Sequence, residues 1–358
     1  MKTFFLRVVC LLLMSVIAAV AGEGETLPPP EPNLPWEHAD TGLRLPAELA
    51  KMTAEQVFHY EKAALGWSVR YSDRKARLRG DVYVYPCEKK AQTSEEIKEA
   101  LRETAGSAVW EVEEMQRRGH YMKVKMGDAE YQPFDLIPES AGASALLSLP
   151  MAYTIVESDD AGRNETAVAS FLGIMMLKNH FVKVRLTYPA NGPDKEQDKV
   201  VERVSDFVEE VRRCVLDPGL RVQTADQIKT YRSDPLSKKG HDLAGGILAY
   251  AEVTPLIALT IDDTISTLGE DLEKEYPQAS VELVRAFIVG AVAESLKKPG
   301  AEPADLPQAG AAEVVRVFGA MQKTKPGLES PRLVELEAAV KAKKAAAWLQ
   351  QQQAKREK

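Results

Sequence analysis

Cysteine and histidine are scarce in this chain: three and five among 358 residues. So few cysteines exclude a disulfide-built scaffold. H-E-x-x-H, C-x-x-C, G-x-S-x-G and the P-loop pattern are all missing. Zinc-protease, thiol-redox, serine-hydrolase and nucleotide-hydrolase readings therefore lack the local constellations they usually need. An excess of positive charge is missing as well. The formal net charge is −7, so nothing in the composition calls for a nucleic acid partner. Beyond the first residues, no run is apolar for the roughly 20 residues that a bilayer span requires.

What is present begins with a leader. The stretch MKTFFLR carries Lys2 and Arg7 and is followed by VVCLLLMSVIAAVA. Ala19-Val20-Ala21 closes that run as a small-x-small cleavage site. These are the three parts of a secretory signal peptide, residues 1–21. The apolar run, about 14 residues, is too short for a span. Cys10 lies inside it and not at its small-residue end, which argues against lipoprotein processing. The expectation is an exported chain, periplasmic or extracellular, starting at Gly22 and not membrane-spanning after cleavage. An oxidising compartment permits one bridge, and Cys87 and Cys214 are the two cysteines left to make it.

The proline-rich residues 22–35 read as an extended arm. From Trp36 onward, short alternating runs recur: TGLRLP (41–46), QVFHYE (56–61), WSVRY (67–71) and DVYVYP (81–86). Period-2 alternation marks strands, and proline ends a strand because it cannot donate to the ladder. Thr93 and Glu96 form a capping box for a helix whose apolar stripe is Ile97, Leu101, Ala105, Ala108, Val112 and Met115. Strand patterns return at YMKVKM (121–126), AYTIVES (152–158), TAVASFLGIMML (166–177) and HFVKVRLTYP (180–189). A second helix opens at Asp194, with Val200, Val204, Phe207, Val208, Val211 and Val215 on one stripe. Hairpin-linked strands are antiparallel, and amphipathic helices must cover sheet faces. Residues 36–217 are thus predicted to form an α+β domain, an antiparallel sheet covered by helices.

Residues 218–240, with scattered charges, a second Asp-Pro pair at Asp234-Pro235 and a closing Gly240, read as a linker. Residues 241–340 carry repeated helical stripes and predict a small, mostly α-helical domain. LIALTI (256–261) reads as a short buried strand within it. Gly290, in AFIVGAVAE, suits two helices in close approach, and Ser330-Pro331 starts a last helix. Residues 341–358 are a basic, glutamine-rich tail with little to bury.

Several of these stretches resemble a known group. The pattern W-x-H-x-x-T-G-x-x-x-P from Trp36 to Pro46, followed by WSVRY, DVYVYP and VKVRLTYP, is similar to a family of uncharacterised secreted bacterial proteins. The order of strands and helices resembles the PsbP-like fold. That resemblance implies an accessory or binding module rather than an enzyme, and it carries over no catalytic residue.

In the strands, one face is apolar and the other carries Arg70, Tyr83, Tyr85, Lys183 and Arg185. Aromatic rings interleaved with cations suit a small anionic ligand or a partner surface; the competing reading is the solvated side of the sheet. The histidines show no metal-ligand spacing, so no metal and no cofactor is expected. His38, two residues before Asp40, reads as a local turn contact. The functional expectation is an exported, non-enzymatic binding or accessory module of the bacterial envelope, with an envelope protein or a small anionic ligand as partner. The alternative is a hydrolase or another enzyme, with a site assembled from scattered residues such as His38, Asp40 and Arg185.

Overall fold

The computed structural model describes residues 24–31, 34–88, 91, 93–134, 143–159, 162–190, 194–254, 257, 261, 263–297 and 305–356. The signal peptide and all but Ile257 and Ile261 of LIALTI lie outside them. The chain is α+β and divides into two compact units between Pro218 and Gly219.

The first unit is built on an antiparallel sheet. Its strands are β1 (Gly24–Leu27), β4 (Glu48–Leu49), β5 (Met52–Tyr60), β6 (Trp67–Asp73), β7 (Leu78–Pro86), β8 (Tyr121–Met126), β9 (Glu130–Pro133), β10 (Ala143–Asp159), β11 (Gly162–Leu177) and β12 (His180–Pro189). They pair in the order β1-β5-β6-β7-β12-β11-β10-β8, with β4 on β5 and β9 on β10. The two-residue strands β2 (Trp36–Glu37) and β3 (Arg44–Leu45) form a separate ribbon. Sequence neighbours pair through hairpins. The longest-range join in sequence is β7 to β12, whose register sets Lys183 opposite Tyr83 and Arg185 opposite Asp81.

Each face of the sheet has its own helix. On one face Val69, Val82, Val84, Val182, Val184 and Leu186 pack with Val204, Phe207, Val211 and Val215 of α2 (Asp194–Ser233). Phe207 is fully buried there, and burial of a side chain that size contributes roughly 1.5–3 kcal/mol. On the other face Leu147, Leu149, Leu172, Ile174 and Met176 meet Leu101, Ala105 and Val112 of α1 (Ser94–Arg117). The capping box that starts α1 is formed in full: the Thr93 side chain accepts from the Glu96 N–H at 3.2 Å, and the Thr93 N–H donates to the Glu96 carboxylate at 3.0 Å.

The second unit is helical: α3 (Lys238–Val253), the short α4 (Asp263–Ser266), α5 (Ala279–Lys297), α6 (Asp305–Thr324), α7 (Pro331–Lys341) and α8 (Ala345–Arg356). Its core joins Tyr231, Ile247, Leu283, Phe287, Val314 and Leu336. Gly290 allows a close approach of α5 to α6, since a Cβ there would lie 2.4 Å from the Ala309 carbonyl oxygen.

Four expectations are corrected. The arm at 22–35 is not simply extended, because Gly24–Leu27 pairs with Val57–Tyr60 as an edge strand. The linker at 218–240 is largely helix. α2 runs through Pro218 to Ser233, and α3 starts at Lys238 under a Ser237 cap. Ile228 and Tyr231 are buried there, and that packing outweighs the charged, Asp-Pro-containing composition. The tail at 341–358 forms α8, because Ala345 and Leu349 do find a core to join. Finally, Cys87 and Cys214 are not bridged to each other. Cys87 packs with the cluster on the α1 face and Cys214 with the cluster on the α2 face, so the sheet stands between them.

Candidate functional site

The five predicted binding residues do share one sheet face. In β12, Val182, Val184 and Leu186 turn toward α2, so Lys183 and Arg185 turn the other way. The register carries that face across the sheet: Arg185 stands opposite Asp81, Asp81 opposite Arg70, Lys183 opposite Tyr83, and Tyr83 opposite Ser68. Tyr85, opposite Phe181, closes the row beside the α1 cluster. Arg70, Tyr83, Tyr85, Lys183 and Arg185 are each half-buried, a state between the solvated side and the covered core that the strand pattern alone offered.

The charges on this face are unequal. Asp81 is a buried carboxylate that accepts from Arg70 Nε at 2.8 Å and from Arg79 Nε at 2.9 Å. Burial alone would raise its pKa, but the two guanidinium groups outweigh it and hold the carboxyl below its ordinary value. Arg79 was not singled out in the sequence because it sits just outside DVYVYP. Among the described residues, Arg185 has no carboxylate of its own. Its Nη2 donates to the Tyr153 hydroxyl at 3.0 Å, and Tyr153 stacks on Tyr121 with ring centroids 4.4 Å apart. Burial opposes ionisation of the Tyr153 phenol, yet Arg185 beside it brings its pKa below the ordinary value. Lys183 lies over two rings, 4.9 Å from the Tyr83 centroid and 5.5 Å from that of Tyr85. Burial lowers its pKa; Glu111 of α1 opposes that from a distance, and Arg185 adds to it. Four cations, Arg70, Arg79, Lys183 and Arg185, thus share this face, and of these Arg70 and Arg79 meet Asp81 directly.

The alternative site of His38, Asp40 and Arg185 does not assemble. Arg185 points to the α1 side of β12, whereas His180, five residues earlier and on the opposite face, is the neighbour of both His38 and Asp40. The His38 and His180 ring centroids are 5.2 Å apart, and His180 Nε2 is 3.9 Å from Asp40 Oδ2. The local turn contact expected of His38 is present, with Nδ1 3.0 Å from Thr41 Oγ1. His180 could not be linked to His38 from sequence, since 142 positions separate them and only the β7–β12 pairing brings β12 back past the β2–β3 ribbon.

An open cleft of about 610 Å³ lies on the α2 side of the sheet. Leu146, Met151, Phe171, Val204 and Val208 form much of its wall, with Arg212 at its rim. Arg212 is already held by Glu209 at 2.7 Å and lies over the Phe134 ring. The cleft therefore mixes apolar wall with the paired Arg212 and Glu209, and its described residues offer no convergent acid–base set.

No described helix is long and apolar enough to cross a membrane. The chain matches no known protein-family model, no curated protein and no solved structure.

Proposed function

We propose that this is an exported, non-enzymatic binding or accessory module that takes a small anionic ligand on the α1-side face of its sheet. One observation carries the reading: Lys183 and Arg185 stand half-buried among tyrosine rings, with no carboxylate paired to either among the described residues. A cation in such a place has lost part of its hydration, so an anion gains more there than at an exposed lysine. The phenol rings of Tyr83 and Tyr85 add a flat surface for a ligand with an aromatic portion. Export rests on the leader read from residues 1–21, and an accessory role agrees with the PsbP-like resemblance.

Phthalate, an aromatic dianion, is a suitable calorimetric probe, with inorganic phosphate as the non-aromatic control. Saturable binding that weakens with rising salt is expected. Lys183→Gln and Arg185→Gln are each expected to weaken phthalate at least about tenfold, equivalent to about 1.4 kcal/mol. Lys183→Gln leaves Arg185 and its tyrosine contacts in place, so it tests the site without disturbing them. Absence of saturable binding by either probe, or binding indifferent to both substitutions, overturns the proposal.

A further inference from the structure

We propose a divalent transition-metal site, of the zinc class, formed by His38, Asp40 and His180. One ligand atom from each residue lies within 4.8 Å of those from the other two. The site belongs to the β2–β3 ribbon and the start of β12, on the opposite side of the sheet from Lys183 and Arg185, and stands independently of the anion-binding reading.

The proximity of the three ligand atoms and the hydrogen bond of His180 carry the argument. His180 Nδ1 is 3.1 Å from the Lys178 carbonyl oxygen. A carbonyl only accepts, so the proton of neutral His180 resides on Nδ1 and the lone pair is left on Nε2. That Nε2 faces Asp40 Oδ2 across 3.9 Å. A lone pair facing a carboxylate oxygen is unfavourable unless a proton or a metal ion lies between them, and 3.9 Å is too long for an N–H···O hydrogen bond. At His38, Nδ1 accepts from the Thr41 N–H at 3.4 Å and lies 3.0 Å from Thr41 Oγ1, so the proton of the neutral ring resides on Nε2. Metal binding at Nε2 moves that proton to Nδ1, where Thr41 Oγ1 can accept it. A metal-binding histidine commonly has its second nitrogen held in this manner, by a carbonyl or another oxygen that fixes tautomer and ring orientation.

The backbone holds both histidines in tight turns. The His38 N–H donates to the Leu43 carbonyl at 2.9 Å, and the Gly42 N–H donates to the His38 carbonyl at 2.8 Å, with Gly42 at φ +70°. His180 follows Lys178 and Asn179, both at positive φ in the two-residue β11–β12 turn. Ring packing adds to this: Trp36 lies 5.8 Å from His38 and 5.7 Å from Trp67, and His59 stacks on Trp67 at 3.9 Å.

Ligand atoms around a tetrahedral zinc stand about 3.4 Å apart, given bonds of about 2.0–2.1 Å. The cluster is wider than that and must close slightly. Asp40 can supply the movement, because its side chain is 76 % exposed while those of His180 and His38 are largely buried. Two nitrogens and one carboxylate oxygen favour zinc, nickel or copper over magnesium or calcium, which prefer oxygen alone. Three protein ligands leave a position for water or an exogenous ligand.

The test uses untagged, chelator-stripped full-length protein and Zn(II) as the probe, followed by calorimetry and thermal unfolding. One equivalent is expected to bind and to raise the unfolding midpoint, with magnesium and calcium inert at the same concentration. His180→Ala and Asp40→Asn are each expected to weaken zinc at least tenfold. Asp40 is exposed, so Asp40→Asn keeps the metal-free unfolding midpoint of the parent and separates ligand loss from misfolding. Cobalt(II) in place of zinc is expected to give visible absorption bands that vanish in His180→Ala. No stoichiometric binding, or zinc affinity unchanged in Asp40→Asn and His180→Ala, overturns the site.

Discussion

Each unit buries a carboxylate, and the two are driven in opposite directions. Asp81, in the sheet, is 8 % exposed and receives bonds from two arginines on neighbouring positions of its own face. Glu282, in the helical unit, is 2 % exposed and has His241 at 2.9 Å and Arg285 at 3.2 Å against one oxygen. Its second oxygen, Oε2, is buried with no hydrogen bond. Asp81 is held below its ordinary pKa because Arg79 and Arg70 outweigh burial. Glu282 is pushed above its own because burial outweighs His241 and Arg285. Burial costs both groups; the number of fixed cations reaching the two oxygens decides which form is favoured.

The largest effect is expected from Asp81→Asn. It leaves Arg70 and Arg79 half-buried without their shared counter-charge, and a loss of about 3–5 kcal/mol in denaturant unfolding is the expected result. The pH dependence has a definite sign. A carboxylate with a depressed folded pKa adds stability above its unfolded value, about 3.9, and loses it as pH falls through the folded value. Acid unfolding of the parent should therefore steepen below about pH 4, and Asp81→Asn should lack that component. Equal slopes in the two proteins would remove Asp81 from the comparison.

Gly290→Ala comes next. The added Cβ would meet the Ala309 carbonyl oxygen at 2.4 Å and Glu313 Cβ at 2.7 Å, so α5 and α6 must separate. Overpacking of this kind costs about 1–3 kcal/mol, which thermal unfolding resolves. Retained stability would mean that the helices move apart at little cost.

Glu282→Gln sharpens the contrast because its sign is reversed. The folded state favours the protonated acid, so ionisation works against folding as pH rises through the unfolded value toward the folded one. The neutral amide removes that cost and is expected to raise stability at pH 7 by no more than about 1 kcal/mol. A loss as large as that of Asp81→Asn would show that the ion pairs with His241 and Arg285 dominate after all.

The smallest effect concerns the thiols, which report on the two faces of the sheet. Burial raises the pKa of the Cys214 thiol, with Asp217 and Glu210 adding to it, whereas Cys87 is half-buried. Cys87 should label first in folded protein and Cys214 only on unfolding, both without reductant. Failure to label even in denaturant would restore the bridge between them.

The Thr93–Glu96 capping box and the start of α2 at Asp194 were legible because they are local. Alternation in HFVKVRLTYP placed Lys183 and Arg185 on one face, because a strand has only two. How many cations that face would hold was hidden, since Arg70, Asp81 and Arg185 come from three strands. The linker at 218–240 was misread because its residues lack a strong stripe, and Ile228 and Tyr231 are buried by helices that lie further along the chain.

The W-x-H-x-x-T-G pattern shows the division most clearly. Its local meaning follows from the sequence: His38, Thr41 and Gly42 close a turn whose bonds span only a few residues. That the turn meets His180 depends on the β7–β12 pairing, which joins strands separated by α1 and the four strands β8 to β11. Sequence by itself determines what lies within a helical turn or a hairpin, where the chain geometry leaves few choices. Tertiary structure alone decides which turn ends facing which strand end, because that depends on burying both faces of the sheet at once.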